Sequence, residues 1–244
     1  MDFRKETVKI GDHSYSVIAC SVMGGGKIEN QDSYDIYYDD TQLIVAVADG
    51  LGSATYSKEG SSKIVKLLID VLKEEVEDSK IPFELLQRWK IAVNGNLNLY
   101  DTTIKFVWVK NGTIKYGGIG DGWIALNTKD ELVSLCASNT FSNQTDSILS
   151  FDLKNKFINK EISKKCVLNS LISTDGFSED IEKENGKAFM DDIYEQVKKD
   201  SVSFENDIMN TLENWPVESN KDDKTVVFIQ REEVKWLWLK TIYL

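Results

Sequence analysis

Leu43-Ile44-Val45-Ala46-Val47-Ala48-Asp49-Gly50-Leu51-Gly52 is the stretch around which the rest of the chain can be read. Six apolar residues end abruptly in Asp-Gly, and a small polar patch and a long helical pattern follow. A short apolar run bounded by turn residues predicts a buried strand. That strand delivers one carboxylate, Asp49, to the end of a sheet, where Gly50 and Gly52 let the backbone turn sharply. Asp-Gly is also an ordinary turn dipeptide. The weight of the reading therefore rests on what the flanking sequence brings to the same place.

Working upstream, residues 34–38 are rich in aromatic and β-branched side chains and suit a strand. Asp39-Asp40-Thr41 reads as a turn, and residues 42–48 return as the partner strand. An antiparallel hairpin puts its first residue and its last at one sheet edge. Asp32, just before the hairpin, and Asp49, just after it, are expected to be neighbours. Further upstream, residues 15–20 read as a strand, and Gly24-Gly25-Gly26 breaks the pattern before Lys27-Ile28-Glu29-Asn30-Gln31-Asp32.

Downstream the period changes. Ile64, Leu67, Leu68, Val71 and Leu72 recur at helical spacing within residues 57–76. Gly60 is expected to allow close packing on the sheet. A second helical pattern runs from Phe83 through Leu86, Trp89, Val93 and Leu97 to Tyr100, weakened by Asn94-Gly95-Asn96. Residues 103–109, 113–117, 123–127 and 132–136 read as a β meander, with Asn111-Gly112 as a hairpin turn. The polar residues 138–159 read as a long surface loop or flap with one short strand. Residues 167–173 form another strand ending in Asp175-Gly176. Helices are expected over 187–199 and 203–214, and a last strand over 225–230. This order suits an α+β sandwich rather than a parallel βαβ fold. Residues 1–231 are expected to form one domain, and the Trp-rich tail, residues 232–244, to pack on it.

The bulk numbers narrow the functions. The 244 residues fit one domain, and 41% hydrophobic content supplies a core. A net charge of −11 argues against nucleic acid and anionic membrane surfaces as partners. The N-terminus is charged and has no apolar h-region, and no run approaches the roughly 20 apolar residues of a membrane span. Three scattered cysteines without a CxxC suggest neither a zinc cluster nor a disulfide framework, so a reducing cytoplasmic location is expected. The single histidine, His13, cannot build a His-rich metal site and argues against Ser-His-Asp or Cys-His catalysis. Carboxylates remain to carry the chemistry.

Four acidic turns stand where strands begin or end: Asn30-Gln31-Asp32, Ala48-Asp49-Gly50, Thr174-Asp175-Gly176 and Asp222-Asp223. Converging carboxylates repel one another strongly at low dielectric. A bound divalent cation resolves that repulsion, and all-oxygen ligation points to a hard ion, Mg²⁺ or Mn²⁺. Two such ions bridged by one carboxylate would suit in-line attack on a phosphoryl group.

The wording of these turns resembles a known family. Lys27 to Ser33 (KIENQDS), Ala48 to Ser53 (ADGLGS), Gly120-Asp121-Gly122, Ser173-Thr174-Asp175-Gly176 and Asp222-Asp223-Lys224-Thr225 are similar to the successive motifs of the metal-dependent protein phosphatase 2C family. They occur in that family's order, and the resemblance spans about residues 14–230. It implies a four-layer α-β-β-α sandwich with two central, mainly antiparallel sheets. It also implies a cytoplasmic signalling hydrolase acting on phosphoserine and phosphothreonine by attack of a water or hydroxide bridging two metal ions, Mn²⁺ or Mg²⁺.

Carried over position by position, the resemblance makes Asp49 the bridging ligand and the Gly50 carbonyl a ligand of one ion. Asp175 and Asp222 complete the second ion's shell. Asp32 holds metal-bound waters, with Gln31 or Glu29 nearby, and Asp121 matches the carboxylate of a weaker third ion. Lys27 stands where the family often has an arginine that grips the substrate phosphate; a lysine offers a point charge without the bidentate fork. Leu51 replaces a histidine found in some members as an acid for the leaving group. Trp123 follows a Gly-Asp-Gly where the family has Gly-Asp-Ser-Arg, and Asp223 replaces an asparagine. The expected partner is a phosphorylated protein substrate, with a regulatory partner at the flap or the Trp-rich tail. Two other readings stand beside this one: a catalytically weak regulatory binding module, motivated by Leu51 and Trp123, and a phosphatase of small phosphorylated molecules.

Overall fold

The computed structural model describes residues 1–110, 112–136 and 145–232. The chain begins with β1 (Asp2–Ile10) and β2 (His13–Val22), then the hairpin β3 (Ser33–Tyr38) and β4 (Leu43–Ala48). Helices α1 (Ser57–Lys73) and α2 (Ile81–Val93) follow, then β5 (Ile104–Val109), β6 (Thr113–Ile119), β7 (Trp123–Thr128) and β8 (Leu132–Leu135). A one-turn helix α3 (Leu153–Lys156) precedes β9 (Ile158–Ser163) and β10 (Val167–Ser173). The short α4 (Asp175–Ser178), then α5 (Gly186–Lys199), α6 (Ser201–Glu213) and β11 (Lys224–Arg231) complete the described chain.

The strands form two sheets, ordered β1-β2-β11-β10-β7-β8 and β3-β4-β5-β6-β9. All their pairings are antiparallel. Strand alternation sorts side chains into layers. From β4, Leu43, Val45 and Val47 point between the sheets, where they meet Val17, Ala19, Ile124, Ile172 and Val227 of the other sheet. Ile44, Ala46 and Ala48 point the opposite way, onto Ile64, Leu68 and Leu72 of α1 and Leu85 and Trp89 of α2. On the far side, Ile18, Cys20, Ala125 and Phe228 pack against Met190 and Ile193 of α5 and Phe204 and Ile208 of α6. The result is the four-layer α-β-β-α sandwich with two antiparallel central sheets. Each fully buried Val, Leu or Ile side chain in these layers contributes about 1.5–3 kcal/mol. β4 is buried along its whole length because it lies under helices on one face and a second sheet on the other.

Several expectations change. Strand β1 was not anticipated: its alternating charges face solvent on a sheet edge while Val8 and Ile10 reach the core. The region 103–136 is not one meander. β5 and β6 lie in the five-stranded sheet, β7 and β8 in the six-stranded one, and Gly120-Asp121-Gly122 is the crossing between them. Gly118 (φ 128°) and Gly120 (φ 114°) make the exit from β6 possible, since both use backbone angles that side-chain-bearing residues rarely adopt.

The second helical pattern stops at Val93, where Asn94 takes a left-handed conformation, and Leu97–Leu99 is a separate 3-10 turn. Gly60 makes its close approach not to the sheet but to the Tyr100 backbone, whose carbonyl oxygen a Cβ would meet at 1.8 Å. Of the polar stretch 138–159, the described part holds α3 and the start of β9. Residues 137–144 and Asn111 of the expected hairpin turn lie outside the described residues, as does the tail from residue 233.

Candidate metal centre

Register brings the acidic turns together. Ser33 pairs with Ala48, so Asp32 and Asp49 flank the same end of the β3–β4 ladder. Ser173 at the end of β10 pairs with Val226 near the start of β11. Asp175 and Asp222 therefore meet at the corresponding edge of the other sheet. Asp121, on the crossing, closes the gap between the sheets. One carboxylate oxygen from each of Asp49, Asp121 and Asp175 lies within 4.8 Å of the other two.

Backbone anchors hold the cluster in place. The Asp49 amide donates to Thr103 Oγ1 (2.9 Å), and the Asp49 carbonyl accepts from Thr102 Oγ1 and the Thr103 amide, each at 2.8 Å. Gly50 forms a bridge with Thr102. Asp32 is 2% exposed; Thr174 Oγ1 donates to its Oδ2 at 2.7 Å, while its Oδ1 has no donor. Asp121 Oδ2 accepts from Thr145 Oγ1, and Asp121 Oδ1 is likewise buried without a donor. Buried carboxylate oxygens without donors are costly. Placed together, they are the acceptors that a cation would satisfy.

The electrostatics agree with that need. Burial first, then the charges of Asp32, Asp175 and Asp222, push Asp49 well above the usual carboxylate range. Burial, opposed by hydrogen bonds from Thr174 and Thr225 and assisted by the charge of Asp223, pushes Asp32 up to about 6. Burial and the charges of Asp121 and Asp222 push Asp175 up to about 7. Carboxyls this perturbed bind either a proton or a metal ion. The donor set is all oxygen, which fits a hard divalent cation.

Lys27 is found at this edge but not free. Its ammonium is paired with Asp222 Oδ1 and, at 3.0 Å, with Asp223 Oδ2. Burial works against its charge, and the hydrogen bonds to the two aspartates outweigh that and hold the ammonium above its ordinary value. Asp223 carries more than its place in the motif suggested. Its side chain is fully buried and also accepts from the amides of Gly24 (2.7 Å) and Gln31 (2.8 Å), tying down the glycine-rich loop. The Gln31 side chain donates to Ser57 Oγ at 2.7 Å, at the start of α1, and Glu29 is exposed. His13 stands at the opposite end of β2 from Val22, which pairs beside Asp223 at Lys224. Trp123 is a core residue, 1% exposed, donating to Ser134 Oγ and stacked near Phe189.

Three participants were not singled out from sequence. Thr174 and Thr103 are hydroxyl partners whose neighbours come from distant strands. Lys105 is 5% exposed and donates to the Gly120 carbonyl at 2.9 Å. Its signal was present: one lysine inside the otherwise apolar strand Ile104-Lys105-Phe106-Val107-Trp108-Val109. Among the described residues, no helix is long and apolar enough to cross a membrane.

Comparison with known proteins places this geometry. The sequence matches the family model described as Protein phosphatase 2C over residues 25–215, which is most of the chain. No curated protein matches it in sequence. Among solved structures, RsbX in complex with magnesium is similar with a TM-score of 0.64 and 22% identity, over 95% of this chain and 100% of that one. The serine/threonine phosphatase Stp1 from Staphylococcus aureus is similar with a TM-score of 0.63 and 13% identity, over 96% of this chain and 100% of that one. The catalytic domain of the serine threonine protein phosphatase PstP, in complex with two manganese ions, is similar with a TM-score of 0.56 and 16% identity, over 90% and 99%. At these identities the likeness is one of fold.

Proposed function

Since the chain belongs to the protein phosphatase 2C family, we propose that it is a Mg²⁺- or Mn²⁺-dependent phosphatase of phosphoserine and phosphothreonine in proteins. The observation that carries this reading is the convergence of Asp49, Asp121 and Asp175 within 4.8 Å, beside the donorless oxygen of Asp32. Asp49 would bridge two divalent ions, aided by the Gly50 carbonyl. Asp175 and Asp222 would complete the second ion's shell, and Asp121 would serve a weaker third. When bound, such cations supply a nucleophilic water at neutral pH and offset the charge that develops on the phosphoryl oxygens.

The chain's own groups do the positioning. The Thr102 and Thr103 contacts fix the Asp49 backbone, so its carboxylate meets the other sheet without rearrangement. Thr174 holds Asp32 so that its free oxygen can orient a water by accepting its hydrogen bond. Lys27, tethered by Asp223, supplies a positive charge at the rim that would orient a phosphate. Leu51 donates its amide to the Asp101 carbonyl and offers no acid. Solvent must therefore protonate the departing serine or threonine oxygen. Trp123 belongs to the core, which removes one of the two reasons for reading the chain as a binding module alone.

The test is hydrolysis of a phosphoserine or phosphothreonine peptide by purified protein. Release of phosphate with Mn²⁺, its loss with chelator, and its loss in Asp49→Asn are the expected results. Full activity in Asp49→Asn would overturn the assignment.

A further inference from the structure

Lys105 is a buried ammonium on the inner side of the acidic cluster, and nothing in the reading above uses it. It sits on β5 among inward-facing residues: Val107 and Val109, which alternate with it, point into the layer between the sheets. Across the ladder it pairs with Val47, two residues before Asp49, and with Gly118, three residues before Asp121. Its stem thus runs through the inter-sheet layer toward the end where the aspartates gather. Its ammonium reaches the Gly120 carbonyl at 2.9 Å, one residue from Asp121.

A lysine on a half-apolar strand ordinarily snorkels to water. This one is 5% exposed, and among the described residues the Gly120 carbonyl is its hydrogen-bond acceptor. Burying an ammonium so sparsely bonded is unfavourable unless opposite charge lies close by. The opposite charge is there. Burial pushes the lysine down to about 8, while Asp121, Cys136 and Asp175 act in the other direction. The remaining lysines of the region have other partners. Lys27 is engaged with Asp222 and Asp223, Lys58 with the Asp32 carbonyl and Ser33, and Lys224 with Asn220 and the Asp222 carbonyl. Lys105 approaches Asp121 and Asp175 from the core side and feels the charge of both.

We infer that Lys105 is the internal counter-cation of the acidic centre, a positioning residue that lets Asp49, Asp121 and Asp175 stand together in the folded chain and keeps their affinity for a divalent ion moderate. The same charge that offsets the mutual repulsion of the carboxylates also repels an incoming cation. The bound ion is thereby kept exchangeable, so occupancy follows the free ion concentration. The second half of this inference rests on the proposed function; the first half rests on the fold alone.

The experiment compares wild type, Lys105→Met, Lys105→Met/Asp121→Asn and Asp121→Asn. Thermal unfolding is followed in chelator, and Mn²⁺ binding by isothermal titration calorimetry. Lys105→Met keeps the stem and removes the charge. Its midpoint in chelator is expected to fall, and Asp121→Asn is expected to raise the midpoint more in that background than in wild type, because only there is the removed negative charge without its counter-cation. A purely packing or hydrogen-bonding role for Lys105 predicts the same change from Asp121→Asn in both backgrounds. Mn²⁺ is expected to bind Lys105→Met about tenfold more tightly than wild type.

If Lys105→Met alone does not fold, folding of the double variant supports the inference and its failure overturns it. Wild-type binding of Mn²⁺ with unchanged or weaker binding to Lys105→Met would overturn the inference and leave the proposed function intact. Absence of Mn²⁺ binding to wild type would count against that function, and the unfolding comparison would then decide the role of Lys105.

Discussion

Replacing Asp49 with asparagine should stabilise the metal-free protein and abolish its response to metal. Oxygens of Asp49, Asp121 and Asp175 lie within 4.8 Å of one another. Two ionised carboxylates at that separation repel by about 3.5 kcal/mol at an effective dielectric of about 20. Protonation relieves part of this, since burial and three neighbouring aspartates already push Asp49 upward. An asparagine removes the charge and offers an amide donor beside the unpartnered Asp32 oxygen.

A net gain of about 1–2 kcal/mol is expected in chelator at slightly alkaline pH. For a chain of this size that is a rise in melting temperature of roughly 2–8 °C. Cation binding acts in the opposite direction. At about a hundred times its dissociation constant, one bound ion stabilises wild type by about 2.7 kcal/mol, and the variant lacks the carboxylate proposed to bridge the ions. Differential scanning calorimetry with chelator and with Mn²⁺ gives both quantities from the same samples. An Asp49→Asn protein that melts below wild type in chelator would refute the repulsion, and one that keeps the full Mn²⁺-dependent rise would refute the ligand role.

Two further outcomes follow from the same groups. Asp32, at about 6, and Asp175, at about 7, lie above the usual carboxylate range, as Asp49 does. Their contribution to stability is present at acid pH and lost as pH rises through those values. His13, lowered chiefly by burial and also by Lys164 and Arg231, acts in the opposite sense, and so does Lys105, pushed down to about 8, at the upper end of the interval. In chelator the melting temperature should fall between about pH 5 and pH 7.5, whereas the Mn²⁺-dependent rise should grow over the same interval as the ligands lose their protons; a midpoint in chelator that climbs with pH would contradict this. Asp223→Asn leaves one acceptor oxygen for Gly24, Gln31 and Lys27 and turns an amide donor toward the rest. It should cost about 1–3 kcal/mol and quicken proteolysis within residues 24–31, and an unchanged midpoint with unchanged cleavage would contradict the assigned anchor.

Much of the centre was legible because each acidic turn follows or precedes a strand whose apolar run is conspicuous. The β3–β4 hairpin put Asp32 beside Asp49 from local sequence alone, and the register bears this out. Gly120-Asp121-Gly122 was harder. Its strands look like neighbours in a meander, and only the tertiary crossing reveals that they belong to different sheets. The edge strands β1 and β9 were missed or blurred because one face of each is solvated and their sequences are dominated by Lys, Glu, Asn and Ser. The partners of Lys27 were also illegible. They stand at Asp222 and Asp223, nearly the length of the chain away, and nothing in the sequence around Lys27 names them. Trp123, which departs from the family's motif, is a packing residue: strand alternation sends it to the helix-facing core.

In the proposed centre, the carboxylates of the two sheet edges share metal ions through Asp49. The most direct measurement is anomalous diffraction from crystals of the protein soaked in Mn²⁺. Two strong manganese peaks are expected, both within bonding distance of the Asp49 carboxylate, with Asp175 and Asp222 on one of them. Peaks elsewhere on the surface, or none at the Asp49 edge at millimolar Mn²⁺, would contradict it.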